Sequence, residues 1–157
     1  MRWADELRAA EPSNTQNSVN GVFSGERRDM AEWEKQIFAI NLIAGDLERS
    51  KTFYQEVFGL PLLDEEKDFA LFRFKDTFVA LRHDPAHQAP PADVLGLAQK
   101  GVGQFAIVVE DVDAVAAELE SHGVTLISGP ADRDWGMRTL TFADPGGYTW
   151  GIAQDLP

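Results

Sequence analysis

Histidine and cysteine, the side chains most often met as transition-metal ligands, are scarce in this sequence: there are three histidines and no cysteine. His83 and His87 stand four residues apart, the spacing of a metal pair on one helical face. Asp84-Pro85 lies between them and breaks a helix, so the pair reads as an exposed loop. His122 directly precedes Gly123 at the end of an apolar-periodic run, where an imidazole complements a helix dipole and needs no other role. The absence of cysteine excludes disulfides, thiolate metal sites and cysteine nucleophiles. No Ser/His/Asp order has local support, no phosphate-cradling glycine loop opens a helix, and no dinucleotide fingerprint occurs. The catalytic residues therefore stay unknown. The candidates left for ligand binding are Asn41, His83, Gln104, Trp135 and Arg138.

The elements that must carry them show a rhythm from Ile37 onward. An apolar strand, Ile37 to Ala44, leads to Gly45-Asp46, where Asp46 is a natural N-cap. The helix from Leu47 to Phe58 turns Leu47, Phe53, Tyr54, Val57 and Phe58 to a core and stops at Gly59. Strands follow from Pro61 to Leu63, Phe69 to Phe74 and Phe78 to Leu81. The second half repeats this order. Gln104 to Val109 is a strand, Asp111 a cap, and Val112, Val115, Ala116 and Leu119 a helical stripe ending at Gly123. Strands at Val124 to Ile127, Met137 to Phe142 and Tyr148 to Ala153 complete it. The caps are 65 residues apart, and Phe74-Lys75-Asp76 recurs as Phe142-Ala143-Asp144.

A repeat of this size implies structural duplication, because a half with one sheet and one helix cannot bury both its apolar faces alone. The expected fold class is α+β: two βαβββ modules, residues 30–83 and 102–157, pairing to form a curved, half-open mixed sheet cleft with helices outside. Residues 84–101 form a proline-bearing linker, with one short helix near Val94 to Gln99. Residues 1–29 read as a flexible or partner-docking tail, and Met30 stands where an alternative start would.

These segments resemble a known family. Gly45-Asp46-Leu47-Glu48-Arg49-Ser50, Phe53-Tyr54 and Val57-Phe58-Gly59-Leu60 look like the first helix of the glyoxalase, bleomycin resistance and extradiol dioxygenase superfamily, also called vicinal oxygen chelate proteins. Glu110-Asp111-Val112-Asp113, Gly129-Pro130 and Asp144-Pro145-Gly146-Gly147-Tyr148 resemble its second half, so the likeness spans residues 37 to 154. The resemblance implies, for the enzymes of the family, a divalent metal held by one residue of each half's first strand and one of its last, usually His and Glu. Carried onto this sequence, those positions are Ala39, Leu81, Gln104 and Gly151, and none is His, Glu or Asp. A slip of one residue reaches no ligand either. No metal and no other cofactor is expected.

Strand parity puts Asn41 beside Ala39 in the cleft, Gln104 opposite across the repeat axis, and His83 with Leu81 at the cleft mouth. The amides either orient a ligand or satisfy buried backbone groups. Asp132 to Arg138 leads into the penultimate strand, where Trp135 offers a stacking face and Arg138 an anion or carbonyl contact; equally, Trp135 would cover a sheet edge and Arg138 pair with a carboxylate.

Composition narrows the partners. Fourteen basic against 26 acidic residues give a net charge of −12, which repels nucleic acid and favours a cationic ligand. No run is long and apolar enough to span a membrane, and no signal-peptide core is seen, so a cytoplasmic location is expected. The reading is a metal-independent small-molecule binding protein, its ligand a cationic or aromatic drug-like compound, and a homodimer by analogy. The alternatives are a lyase, isomerase or dioxygenase with an atypical or absent metal site, and a fold kept as an interaction module.

Overall fold

The computed structural model describes residues 37–89 and 104–157. The expected tail over residues 1–29 and the linker helix near Val94 to Gln99 lie outside the described residues.

Within these limits the two halves fold alike. The first runs β1 (Ala39–Ala44), α1 (Leu47–Glu56), β2 (Leu62–Glu66), β3 (Phe69–Phe74) and β4 (Thr77–His83). The second runs β5 (Gln104–Val108), α2 (Val112–Ser121), β6 (Leu126–Arg133), β7 (Met137–Ala143) and β8 (Thr149–Asp155). Each half makes one four-stranded mixed sheet, in the orders β1-β4-β3-β2 and β5-β8-β7-β6. The first strand of each is parallel to the last and the other pairs are antiparallel, so the helix supplies the crossover that parallel strands require. The fold is α+β, as expected from the repeat. β6 is longer than the four residues expected of it and takes up Asp132 and Arg133, with Trp135 in the turn to β7.

Both helices begin in the same way. The Asp46 carboxylate accepts the Arg49 amide at 2.9 Å and the Asp111 carboxylate accepts the Ala114 amide at 3.0 Å. Each bond satisfies an orphan donor of the first turn and stabilises its helix by about 1 kcal/mol. Both helices also stop alike, at Gly59 and Gly123, with φ of +64° and +74°, where a side chain would be strained. Leu47, Ser50, Lys51 and Tyr54 are buried on α1, and Val112, Ala116 and Leu119 on α2. The buried Lys51 ammonium is paired with Glu48 at 2.8 Å and with Glu65 of β2, tying α1 to the sheet edge.

One core serves both halves. Leu42, Ala70, Phe72, Val79 and Leu81 of the first sheet belong to the same buried cluster as Leu140, Phe142, Trp150 and Ile152 of the second. Aromatic rings make the join: Phe53 lies 6.3 Å from Phe142, Phe58 lies 4.9 Å from Trp150, and Phe74 stacks on Trp150 at 5.4 Å. Such pairs contribute about 1 kcal/mol each beyond their burial.

Polar groups fix the register of the join. The Tyr54 hydroxyl donates to the Asp144 carboxylate at 2.6 Å, and the Tyr148 amide donates to the other oxygen of that carboxylate at 3.0 Å. Burial lifts the Asp144 carboxyl above the usual carboxylate range, although the Tyr54 hydroxyl pulls the other way. Burial, with the Asp144 charge beside it, pushes the Tyr54 hydroxyl far up, so it remains a donor. The Tyr148 hydroxyl crosses to the first half and accepts the Ile43 amide at 2.8 Å on the outer edge of β1. His87 stacks on the Tyr148 ring, and its Nε2 donates to the Gly146 carbonyl at 2.9 Å.

Two outcomes follow for stability. Tyr148→Phe leaves the Ile43 amide without its acceptor and should cost about 1 kcal/mol in urea unfolding; no loss would show that water replaces the hydroxyl. A carboxyl raised by folding favours the folded state most below its unfolded value, near about 4, and that contribution is lost as pH rises through the folded value. Asp144→Asn should therefore gain stability relative to the parent as pH goes from about 4 to about 7. Unfolding curves measured across that range test it, and parallel pH profiles of the two proteins would contradict it.

Candidate functional site

Each sheet turns one face to the shared core and the other away from it, and the strand period of two assigns every residue to one of them. In the second sheet, Phe105, Ile107, Leu140, Phe142, Trp150 and Ile152 take the core side. Gln104, Ala106, Gly151, Thr139 and Thr141 take the outer side, as the partners Ala106↔Gly151 and Gly151↔Thr141 show. In the first sheet, Leu42, Val79 and Leu81 face the core, while Ala39, Asn41, Ala80 and Arg82 face outward.

The repeat can be aligned from these registers. Asn41 and Ala106 each precede their helix cap by five residues, and they pair with Ala80 and Gly151. The first-half counterpart of Gly151 is thus Ala80, one residue from the expected Leu81, which is buried in the core. The positions that correspond across the repeat are Ala39, Ala80, Gln104 and Gly151. None but Gln104 carries a donor atom in its side chain. Among the described residues, no three His, Asp or Glu side chains stand close enough together to hold a metal ion. The residues present do not fit the family's metal.

The five expected ligand-binding residues separate. Asn41 and Gln104 are exposed on the outer faces, where strand parity placed them. Gln104 leans across Gly151, which has no side chain to stop it, and its Nε2 donates to the Thr141 hydroxyl at 3.2 Å. His83 shares parity with Leu81, and that is the core side; its Nδ1 donates to the Ala44 carbonyl at 3.2 Å. The imidazole closes the end of β1 and does not share a face with Asn41. Trp135 lies in the turn between β6 and β7 with 66% of its surface exposed. Arg138 is committed elsewhere: its Nε and Nη2 donate to the Asp113 carboxylate at 2.8 Å each, and its Nη1 donates to Asp132 at 2.7 Å. These bonds hold the Asp113 carboxyl below its ordinary range and the Arg138 guanidinium above its own. Arg138 joins α2 to β6 and β7 on the helix side, the pairing with a carboxylate that was its structural alternative.

Sequence reasoning passed over Arg133, Thr139 and Thr141. Arg133 pairs with Met137 in the β6–β7 ladder, on the outer side with Thr139, and its Nε donates to the Thr139 hydroxyl at 2.8 Å. The alternation of Thr139, Thr141 and Ala143 with Leu140 and Phe142 was the available signal for that face. A concavity of about 790 Å³ lies on the helix side between α1 and the start of β6, bounded by Arg49, Phe53, Glu56, His122, Leu126 and Asp144. The Asp144 carboxylate among these residues is already engaged by Tyr54.

Comparison with known proteins agrees with this architecture. The family model described as Glyoxalase/Bleomycin resistance protein/Dioxygenase superfamily matches residues 36–152. The protein YraH of Bacillus subtilis is 30% identical over 120 residues, covering 70% of this chain and 91% of its own length. A lactoylglutathione lyase of Arabidopsis thaliana is 27% identical over 142 residues, covering 84% of this chain; the match spans 50% of that longer protein. Among solved structures, a glyoxalase/bleomycin resistance protein/dioxygenase from Nocardioides superposes with a TM-score of 0.65 at 24% identity, covering 80% of this chain and 87% of that one. TnmS3, an antibiotic binding protein from Streptomyces, superposes with a TM-score of 0.59 at 28% identity, covering 80% and 98%. With two βαβββ halves, matching caps and stops, and a family model that spans both, this chain belongs to the glyoxalase/bleomycin resistance protein/dioxygenase superfamily.

Proposed function

We propose that this chain is a small-molecule binding protein of the superfamily that works without a metal centre, its ligand lying against the outer sheet faces. The observation that carries this reading is the set of side chains at the four repeat-related positions: two alanines, one glycine and one glutamine. A catalytic zinc needs three protein ligands and a transition metal prefers imidazole or carboxylate, so a lone amide oxygen gives too weak a site. What remains on those faces suits binding by shape and hydrogen bonds: the amides of Asn41 and Gln104, threonine hydroxyls and short apolar side chains. The likeness to an antibiotic binding protein supports the same reading.

We also read the working unit as a homodimer. Ile37 and Phe38, just before β1, and Val108, at the end of β5, are large exposed apolar side chains that a second copy would cover. Among the described residues no helix is long and apolar enough to cross a membrane.

A second reading, a lyase, is favoured by the relatives that bear that name, each twice as long as the matched region or nearly so. The two are separated by metal. Protein purified without chelators should carry no stoichiometric Zn, Ni, Mn or Fe, and none of these ions should raise its melting temperature, whereas a bound small molecule should. One tightly held ion per chain would overturn the metal-free reading in favour of the lyase.

A further inference from the structure

The outer face of the second sheet carries a cation, which the overall acidity of the chain conceals. Arg133 closes β6 half-buried, and its Nε is held by the Thr139 hydroxyl at 2.8 Å. That bond uses one of five donors and aims the planar guanidinium; among the described residues no carboxylate stands within ion-pair distance of the rest. Its neighbour Asp132 is taken by Arg138 on the opposite side of the sheet. Two arginines of one hairpin therefore have different fates. Arg138 is spent on structure, and Arg133 keeps its bidentate edge open.

The surroundings of Arg133 define what would fit. Trp135, 66% exposed, stands in the turn two residues on. Thr139 and Thr141 occupy alternate positions of β7, about 7 Å apart along the strand. Beyond them Gln104 lies over Gly151 with its Nε2 on Thr141. The carbonyl oxygen of that amide is left as an acceptor. Cation and distant acceptor sit on one sheet face, with Trp135 exposed in the adjoining turn, which calls for a ligand with an acidic group at one end, an apolar or aromatic body, and a donor at the other.

Resting on the binding reading above, the geometry points to Arg133 as the anchor of a carboxylate-bearing aromatic ligand, with Gln104 and Thr141 receiving its far end. The ligand is then an organic acid and not a cation, because a guanidinium fixed by Thr139 acts at contact distance while the net charge of −12 is spread over the surface and screened by salt.

The test compares naphthoate with the neutral, isosteric naphthamide on the full chain, by calorimetry and by amide chemical shifts. Naphthoate should bind about tenfold more tightly, the worth of a charge-assisted hydrogen bond, and should move the Thr139 and Thr141 signals. Arg133→Gln should abolish the preference while leaving naphthamide binding intact, and Arg133→Lys should recover only part of it, since a point charge lacks the fork. Lys67→Gln, which removes a cation from the exposed turn between β2 and β3, should leave the preference unchanged. Equal affinity for the two probes, a preference that survives Arg133→Gln, or one lost in Lys67→Gln would overturn the inference while the binding reading stands. Failure of both probes to bind would overturn the inference as well, and the melting-temperature screen then decides the binding reading separately.

Discussion

The structure depends on two half-domains that cannot each bury their own apolar surface. Each βαβββ half has a sheet with an aromatic face and one helix to cover it, which is too little. Phe53 and Phe58 from the first half and Phe142 and Trp150 from the second fill one another's gaps, and the two cores become one. Apolar packing alone tolerates sliding, since it lacks direction. The Tyr54–Asp144 hydrogen bond and the Tyr148 hydroxyl on the Ile43 amide supply direction, because a buried carboxylate or an orphaned amide has a cost in any other alignment. With these aromatic residues committed inward, the opposite face of each sheet takes no part in the join.

Strand periodicity turns that division into chemistry. Arg133 and Arg138 are five residues apart in one hairpin, yet they act on opposite sides of it. One reaches Asp113 on the helix and braces the module; the other rests on Thr139 on the outer face. The same alternation sends His83 to the core side and Asn41 to the outer one.

Duplication preserved the scaffold and let the chemistry diverge. The caps Asp46 and Asp111 and the stops Gly59 and Gly123 match across the repeat, since each performs the same local task in both halves. Asp76 and Asp144 also match in sequence, yet the first is exposed in a turn and the second is buried at the junction. Ala39 and Gln104, or Ala80 and Gly151, differ in the same way on the outer faces. The superfamily membership therefore speaks for the frame and leaves the occupant of those faces to their own side chains.

The fold was legible from local signals: N-caps, helix-stopping glycines, apolar period and the recurring Phe-x-Asp each depend on neighbours within a few residues, so they survive in the linear text. That the four repeat-related positions carry no imidazole or carboxylate was legible too, because it needed only residue types and a register good to one position. Leu81 was misplaced by that one position, and in a strand one position exchanges faces. The roles of Arg133, Arg138, Tyr54 and Asp144 were beyond the sequence. Arg138 meets Asp113 across 25 residues and Tyr54 meets Asp144 across 90. Charges and hydroxyls of one kind look alike along a chain, and only the packing of the two halves decides which of them is paired within the fold and which keeps donors unpaired.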